Sequence, residues 1–345
     1  MGDGPVFELR HCLMGVDEVR GMVDGRRHRS GGRVMDIKAQ VVADFVSSIR
    51  QPGVFPPLDE LRQQIRTMVD LLDEPAPALP RIEDISVPGA AGDIPARAYW
   101  PVADGSPLPV LMFIHGGGWV QGDLHSHHGL CARLAAWSGA LVVALDYRLA
   151  PETKFPGAVE DCVAAYAWLR AHAGRLDGDP ARVAVGGDSA GGNLSAVTCL
   201  QARDAGIAVP DFQLLIYPAT DFAMDTASHA EFEHGAVIPR DRVIFYRNHY
   251  LNSPADAADP LASPLKAPSL EGLPPALVQT AGFDPLRDEG LAYAGRLREA
   301  GVDVVLHEYP GQIHGFMMLA KAIPEGLDAT REAADYMRRA WKLGT

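Results

Sequence analysis

Residues 184–193 read AVGGDSAGGN, in which a serine stands among glycines directly after an apolar run. The spacing G-x-S-x-G around Ser189 is typical of the sharp turn that carries a nucleophilic serine between a strand and a helix. The apolar run 182–187 predicts that strand, and the residues from about 191 predict the helix. Ser189 is therefore a candidate nucleophile. A serine hydroxyl attacks well only where a base takes its proton and hydrogen-bond donors stabilise the oxyanion.

The sequence on both sides of this turn predicts an α/β fold. Short, continuous apolar runs are typical of strands buried on both faces, as in a parallel sheet. The predicted strands lie at 81–87, 94–100, 109–115, 140–147, 182–187, 212–218, 275–282 and 302–310. Helical patterns separate most of them, including 158–173 and 192–205, and a long one follows residue 316. This alternation predicts a mostly parallel central sheet of about eight strands with helices on both faces.

Two regions fall outside this alternation and predict a helical cap. Two helical patterns lie within residues 35–75, and residues 221–256 interrupt the alternation without a strand of the core type. An insertion that follows the C-terminal end of a strand lies on the side where open α/β sheets bind ligands. We therefore interpret 35–75 and 221–256 as the cap of a catalytic domain formed by 81–220 and 257–345. Residues 1–34 are rich in glycine and arginine and predict a loosely ordered extension.

Composition excludes several classes of partner. The 345 residues carry a net charge of −13, which disfavours nucleic acid because phosphate binding needs clustered Lys and Arg. No apolar run approaches the roughly 20 residues of a membrane span, so no membrane partner is predicted. The N-terminus lacks the apolar core of a signal peptide, and Cys12, Cys131, Cys162 and Cys199 are scattered. These features predict free thiols and a cytoplasmic location.

A second glycine-rich stretch could supply the donors that Ser189 needs. Residues 113–120 read FIHGGGWV and follow the third predicted strand directly. Three consecutive glycines, 116–118, let backbone N–H groups approach a ligand without obstruction by side chains. Together with the N–H of Ala190, which follows the candidate nucleophile, they would form an oxyanion hole.

The acid and the base are sought after the last two predicted strands. Asp284 ends a strand and precedes Pro285, which begins a helix, so its carboxylate lies at the C-terminal edge of the sheet. Asp288 competes with it, but Asp288 falls in the first helical turn, where an acid interacts with the helix dipole. His314 lies in a loop after the last strand, whereas His307 lies within that strand. Asp284 is therefore a better candidate for the acid than Asp288, and His314 is a better candidate for the base than His307.

The order of these residues along the chain joins them into one site. Serine, then aspartate, then histidine is the order found in α/β-hydrolases. We therefore predict that Ser189, Asp284 and His314 form a catalytic triad that needs no metal or cofactor. Three more histidines, at 125, 127 and 128, form a polar loop cluster without acidic or cysteine partners in metal-site spacing.

With these residues identified, the chain resembles the hormone-sensitive-lipase-like carboxylesterases, or bacterial family IV, which have the α/β-hydrolase fold. The blocks HGGGW, DYRLAPE, GDSAGGN, DPLRDE and IHGF occur in the order of that family, from about residue 35 to the C-terminus. The resemblance implies that Gly117, Gly118 and Ala190 donate the oxyanion-hole hydrogen bonds. It also implies that the charged residues of DYRLAPE brace the oxyanion loop, namely Asp146, Arg148 and Glu152.

The expected activity is hydrolysis of short- to medium-chain carboxylic esters through a serine acyl-enzyme. A capped pocket lined by aromatic side chains, with Trp119, Tyr217 and Phe222 as candidates, favours small ester substrates. An amidase, lactonase or deacetylase acting on a specific metabolite is the alternative, because the triad serves all acyl transfers. A non-catalytic small-molecule receptor would be expected to lack a triad residue. Members of this family often form dimers through an edge strand, so the resemblance also leaves a homodimer open.

Overall fold

The centre of the fold is a sheet of eight strands, seen in a computed structural model that describes residues 29–30, 32–102, 105–235 and 237–343. Its strands, in chain order, are β3 (Arg81–Gly89), β4 (Gly92–Trp100), β5 (Leu108–Ile114), β6 (Leu141–Leu145), β7 (Gly178–Asp188), β8 (Gln213–Ile216), β9 (Ala276–Phe283) and β10 (Val304–Ile313). The spatial order is β10-β9-β8-β7-β5-β6-β4-β3. β4 pairs antiparallel with β3 and β6, and all other neighbours are parallel. The predicted, mostly parallel sheet is confirmed.

Helices cover both faces of this sheet. In chain order they are α1 (Ile37–Ser48), α2 (Leu58–Leu72), α3 (His128–Ser138), α4 (Gly157–His172), α5 (Ala190–Asp204), α6 (Ala227–Glu231), α7 (Arg240–Tyr250), α8 (Arg287–Glu299) and α9 (Glu325–Ala340). Short 3-10 turns also occur at Ala173–Leu176, Pro254–Ala258, Pro264–Lys266 and Phe316–Met318. None of the described helices is long and apolar enough to cross a membrane.

The burial of each strand follows from its place in the sheet. Every residue of the central strands β5, β6 and β9 is buried, because helices cover both of their faces. The two edge strands, β3 and β10, are exposed at many positions. Along β5, Val110 and Met112 join one apolar core, whereas Leu111 and Phe113 join the other. This alternation places one core on each face of the sheet, since successive strand side chains point to opposite faces.

The N-terminal region is ordered from shortly before the predicted cap. Arg29–Ser30 (β1) pairs antiparallel with Arg33–Val34 (β2), where the sequence predicted a loosely ordered extension. Residues 1–28 and 31 of that extension are outside the described residues. Asp36 caps α1 by accepting a hydrogen bond from the Lys38 N–H at 2.8 Å. The segments interpreted as the cap contain α1, α2, α6 and α7.

Candidate active site

The turn around Ser189 joins β7 to α5 with almost no connecting chain. β7 ends at Asp188 and α5 begins at Ala190, so Ser189 alone forms the turn. Its φ of 55° lies in the left-handed region, which a non-glycine residue adopts only at a cost. A Cβ atom on Gly187 or Gly191 would collide with the carbonyl oxygen of Ile114. The glycines of this stretch are therefore required by the close packing of β5, β7 and α5.

The structure brings the three predicted triad residues into one chain of hydrogen bonds. The Ser189 Oγ lies 2.9 Å from the His314 Nε2, and the His314 Nδ1 lies 2.7 Å from the Asp284 Oδ2. The other carboxylate oxygen, Oδ1, accepts the N–H of Leu286 at 2.8 Å, and Asp284 is fully buried. These residues follow β7, β9 and β10, whose parallel directions bring their C-terminal ends to one edge of the sheet.

The stretch 116–118 forms a tight loop at the same edge. Gly117 has φ 118° and Gly118 has φ 63°, both in the range that favours glycine. A Cβ atom on Gly117 would collide with the carbonyl oxygen of Gln121, and one on Gly118 would collide with the ring of Tyr246. Gly117 and Gly118 line the same cavity as Ser189 and His314. Their backbone is therefore available to a group bound beside the serine.

The charged residues of the DYRLAPE block do not all contact this loop. The Asp146 Oδ1 lies 3.8 Å from the Nε2 of His115, the residue that begins the loop. Arg148 instead forms an ion pair with the buried Asp161, with 2.8 Å between Arg148 Nε and Asp161 Oδ2. The implied contact of Arg148 with the oxyanion loop is therefore wrong, because its guanidinium points to α4.

Glu152 reaches the chain beside the glycine loop 116–118 only through Arg62 of α2. Its carboxylate binds Arg62 of α2 at 2.8 Å, and the Arg62 Nε donates to the carbonyl of Val120 at 2.8 Å. The same guanidinium donates to the carbonyl of Ala150 at 3.1 Å. Glu152 therefore braces the loop indirectly, through Arg62, a bridging residue that the motif did not identify.

A cavity of about 110 Å³ lies against Ser189 and is mostly apolar. Besides the glycine loop, its lining comes from α2, the cap insertion and the segment after β10: Ile65, Met68, Val237, Ile238, Val243, Tyr246, Met318 and Leu319. Trp119 and Phe222, two of the predicted pocket residues, both line it, with ring centroids 4.9 Å apart.

Tyr217 occupies a different place from the predicted one. It is not among the described residues that line the cavity, and only 1% of it is exposed. Its ring lies behind His314, with 4.8 Å between the ring centroids of Tyr217 and His314. Burial raises the pKa of the Tyr217 hydroxyl well above its usual range. Tyr217 therefore supports the imidazole rather than the pocket wall.

The segment 221–256 is held to the segment that follows Asp284. The Ser228 Oγ donates to the carbonyl of Pro285 at 2.6 Å, and Glu231 binds Arg287 at 2.8 Å. The Nε2 of His229 lies 2.9 Å from the Oε2 of Glu289, and both side chains are buried. Burial raises the pKa of Glu289 despite this partner. This pair could not be predicted from the sequence, since its members lie in different segments.

The three loop histidines have three separate partners. The His125 Nε2 lies 2.8 Å from Asp70, and the His128 Nδ1 lies 3.2 Å from the Tyr99 hydroxyl. His127 is buried and lies 3.0 Å from Asp188, the residue that precedes the serine. Within the described ranges, no group of three or more His, Cys, Asp or Glu side chains could hold a metal ion.

The sheet order, the strained serine and the hydrogen-bonded triad define an α/β-hydrolase. The profile of the alpha/beta hydrolase fold family matches residues 111–318. The carboxylic ester hydrolase LipN of Mycobacterium tuberculosis is 49% identical over 244 residues, which cover 69% of this chain and 65% of LipN. The ethyl acetate hydrolase of Pseudomonas putida is 38% identical over 77% of this chain and 85% of its own length.

A solved structure agrees with these relatives. An ester hydrolase from the metagenome of Lake Arreo, solved with a bipyridine phosphonate derivative, superposes with a TM-score of 0.85 at 39% identity. The match covers 90% of this chain and all of that one. The chain therefore belongs to the alpha/beta hydrolase fold family, in its hormone-sensitive-lipase-like branch.

Proposed function

We propose that this protein is a serine carboxylesterase that hydrolyses short- to medium-chain carboxylic esters. The observation that carries the proposal is the hydrogen-bonded chain from Ser189 through His314 to Asp284, which opens on an apolar cavity beside a glycine loop. A nucleophile, a base and an orienting acid in this geometry are the arrangement that acyl transfer requires. The relatives named as esterases support the same chemistry.

The proposed reaction has two steps that share one set of residues. His314 Nε2 takes the proton of the Ser189 hydroxyl while the serine oxygen attacks the ester carbonyl carbon. The same imidazolium then protonates the leaving alcohol, which breaks the ester C–O bond and leaves an acyl-enzyme. Water, deprotonated by His314, attacks the acyl group and releases the carboxylic acid and Ser189. Asp284 holds the imidazole tautomer and stabilises its cation.

The oxyanion of each tetrahedral intermediate would be held by backbone N–H groups. We assign this role to Gly117, Gly118 and Ala190. Ala190 begins α5, so its N–H belongs to the first helical turn, whose N–H groups lack intrahelical partners. Gly117 and Gly118 line the cavity with backbone conformations that a side chain would prevent. Such preorganised donors supply a large part of the rate enhancement in acyl transfer.

The size and chemistry of the cavity support small esters as substrates. Its volume is about 110 Å³, which is smaller than the apolar cavity of about 150 Å³ that holds a benzene molecule. Its lining is mostly apolar, and Trp119 and Phe222 form an aromatic part of the wall. One of the relatives is named for ethyl acetate, an ester of two small halves. A short acyl group therefore fits this cavity better than a long one.

The test is a series of p-nitrophenyl esters from acetate to palmitate, measured with the wild type and Ser189→Ala. We expect kcat/KM to peak at short chains, and Ser189→Ala to lower the rate by roughly 10⁴-fold or more. Ser269→Ala, which changes an exposed serine far from the cavity, is the matched control and should keep full activity. Near-normal turnover by Ser189→Ala would refute the nucleophile, and a maximum at palmitate would refute the short-chain preference.

We also propose a cytoplasmic location. Cys131, Cys162 and Cys199 are free and buried, and burial raises the pKa of each thiol. Free thiols persist in a reducing compartment. Cys12 lies outside the described residues. Cell fractionation followed by an esterase assay tests the location, and recovery of the protein from a secreted or membrane fraction would contradict it.

A further inference from the structure

A second buried imidazole–carboxylate pair lies next to the triad without belonging to it. The His127 Nε2 is 3.0 Å from the Asp188 Oδ1, and each residue is only 1% exposed. Asp188 immediately precedes Ser189 at the end of β7, whereas His127 comes just before α3. Removing two such groups from water is costly unless they pair with each other or form hydrogen bonds with neighbouring groups. The mechanism described above uses neither of them.

The carboxylate of Asp188 also binds the loop that precedes the oxyanion glycines. Its Oδ1 accepts the backbone N–H of Gly116 at 2.8 Å. The contact is close, because a Cβ atom on Gly116 would collide with the Asp188 carboxylate. One side chain therefore links the residue before the nucleophile to the residue before Gly117. The Asp188 side chain therefore couples the position of Ser189 to the position of the glycine loop.

The other face of His127 is held in a turn. Its Nδ1 lies 3.0 Å from the Ser126 Oγ, which accepts the N–H of Asp123 at 2.9 Å. The Asp123 carboxylate accepts the N–H groups of Ser126 and His125 at 2.8 and 2.9 Å, and it forms an ion pair with Arg66 of α2. Both ring nitrogens of His127 are thus engaged, and the ring is not among the described groups that line the cavity.

The charged state of Asp188 is consistent with this role. Burial would raise the pKa of Asp188, but the charge and hydrogen bond of His127 and the Gly116 N–H outweigh it and hold that pKa below its usual value. The carboxylate is therefore an acceptor for both groups at neutral pH. The ring of His115, whose centroid lies 5.4 Å from that of His127, also faces the pair and stacks on Tyr147. The hydroxyls of Tyr147 and Tyr217 and the thiol of Cys131 are the further titratable groups that interact with the Asp188 carboxylate.

We infer that Asp188 and His127 are positioning residues for the oxyanion hole: together they fix the loop of Gly117 and Gly118 relative to Ser189. This inference rests on the proposed esterase function. The physical reason is that oxyanion donors act only when they lie about 2.7–3.1 Å from the developing charge. The loop contains no strand or helix to hold it. Its place beside the serine therefore depends on side-chain contacts such as the one between Asp188 and Gly116.

The inference is tested by His127→Leu, with His127→Gln as the conservative variant. The Leu variant removes the donor to Asp188, whereas Gln can place an amide N–H near the position of the imidazole Nε2. We expect His127→Leu to lower kcat about 100-fold, the effect of losing one oxyanion donor, with KM within about threefold. His127→Gln should recover about tenfold of that loss. His125→Leu, in the same loop but exposed and bound to Asp70, is the matched control.

A second measurement separates positioning from a general loss of structure. A trifluoromethyl ketone forms an oxyanion on Ser189, whereas the matching alkyl ketone binds without one. The affinity of His127→Leu for the trifluoromethyl ketone should fall in proportion to kcat/KM, and its affinity for the alkyl ketone should not change. Equal losses for both ligands, or a kcat within twofold of wild type, would overturn the inference.

Misfolding of His127→Leu and failure of the proposed function can each be distinguished from failure of the inference. If His127→Leu does not fold, the double variant Asp188→Asn with His127→Gln replaces the imidazole–carboxylate pair by two neutral hydrogen-bonding amides. It should fold and still show the selective loss of trifluoromethyl ketone affinity, whereas unchanged affinity would overturn the inference. A wild type that hydrolyses no ester would instead refute the proposed function itself.

Discussion

Two imidazole–carboxylate pairs flank Ser189, and they differ in where the second ring nitrogen points. In the His314–Asp284 pair, that nitrogen lies 2.9 Å from the Ser189 hydroxyl. In the His127–Asp188 pair, it lies 3.0 Å from the Ser126 hydroxyl in a turn. The separations within the pairs are 2.7 and 3.0 Å, and both carboxylates are buried. Burial and a close imidazole–carboxylate contact are therefore shared, and access to the cavity is what distinguishes a reactive histidine from a positioning one.

A third pair, His229–Glu289, extends this comparison to the cap. It joins α6 to α8 with 2.9 Å between His229 Nε2 and Glu289 Oε2, and Glu289 also accepts the N–H of Thr220 at 2.7 Å. Burial raises the pKa of Glu289, whereas the pKa of Asp188 is held below its usual value. Two buried carboxyls in similar pairs thus have pKa values shifted in opposite directions.

The largest expected effect separates the two aspartates. Asp284→Asn should lower kcat by about 10⁴-fold, because an amide cannot hold the imidazole in the tautomer that accepts the serine proton. Asp188→Asn should lower it by only about 100-fold, since it disturbs the placement of one set of donors. Steady-state rates on p-nitrophenyl butyrate measure both. Equal losses would show that the two pairs do not have different roles.

The next effect concerns stability rather than rate. His229→Ala removes the partner of a buried carboxylate and should lower the free energy of unfolding by about 3 kcal/mol. The rate per folded molecule should change far less than in Asp284→Asn, because the His229 ring binds Glu289 and not the triad. Urea unfolding gives the free energy. His234→Ala, an exposed histidine in the same segment, is the control, and an equal loss there would contradict the prediction.

Substrate size should depend on a wall residue rather than on any of the pairs. Tyr246 lines both the cavity beside Ser189 and a neighbouring apolar cavity of about 770 Å³ between α1 and α2. Tyr246→Ala should join the two, so that about two more methylene groups of a substrate are buried at about 0.8 kcal/mol each. The ratio of kcat/KM for a long ester to that for a short one should then rise about tenfold. Thr67 lines the larger cavity but not the one beside Ser189. Thr67→Ala should therefore leave the ratio unchanged, as should His127→Gln.

The smallest effect is the pH dependence of stability. Because the folded-state pKa of Asp188 is lowered, its contribution is present above the unfolded value of about 3.9 and is lost as the pH falls below it. Glu289 has a raised pKa, so its contribution instead grows as the pH falls from neutrality toward about 4.3. Asp188→Asn should therefore lose less stability on acidification than the wild type, and Glu289→Gln should lose more.

Urea unfolding at pH steps between about 2.5 and 7 measures these slopes, because the contribution of Asp188 changes below about pH 3.9. A single group changes the slope of the unfolding free energy against pH by at most about 1.4 kcal/mol per pH unit. Such unfolding curves can detect a change of this size. Slopes that change in the same direction for both variants would contradict the opposite pKa shifts of the two carboxyls.

The features that could be predicted from sequence are local ones. Apolar runs identified the buried strands, and glycines marked the positions where a side chain cannot fit. The order of Ser189, Asp284 and His314 along the chain indicated one site, although the hydrogen bond between Ser189 and His314 spans 125 residues. This was possible because parallel strands place their C-terminal ends at one edge, so residues that follow strands meet there.

The partners of buried charges could not be predicted in this way. His127 and Asp188 lie in separate motifs, and the bond from Gly116 to Asp188 spans 72 residues. Arg148 and Glu152 stand within a motif near the loop, yet one binds Asp161 and the other Arg62. Tyr217 follows a strand as the triad residues do, but its ring turns behind His314. Side-chain direction decided each case, and neighbouring elements set that direction.

The sequence by itself determined the α/β architecture, the strained serine turn and the identity of the three triad candidates. These depend on burial along each strand, on the lack of space for a Cβ atom and on chain order, all of which are written in local residue patterns. Only the tertiary structure decided which histidine opens on the cavity and which carboxylate holds the glycine loop. The physical reason is that a buried charge is stabilised by whichever group packing brings within hydrogen-bond distance, and packing is a property of the whole chain.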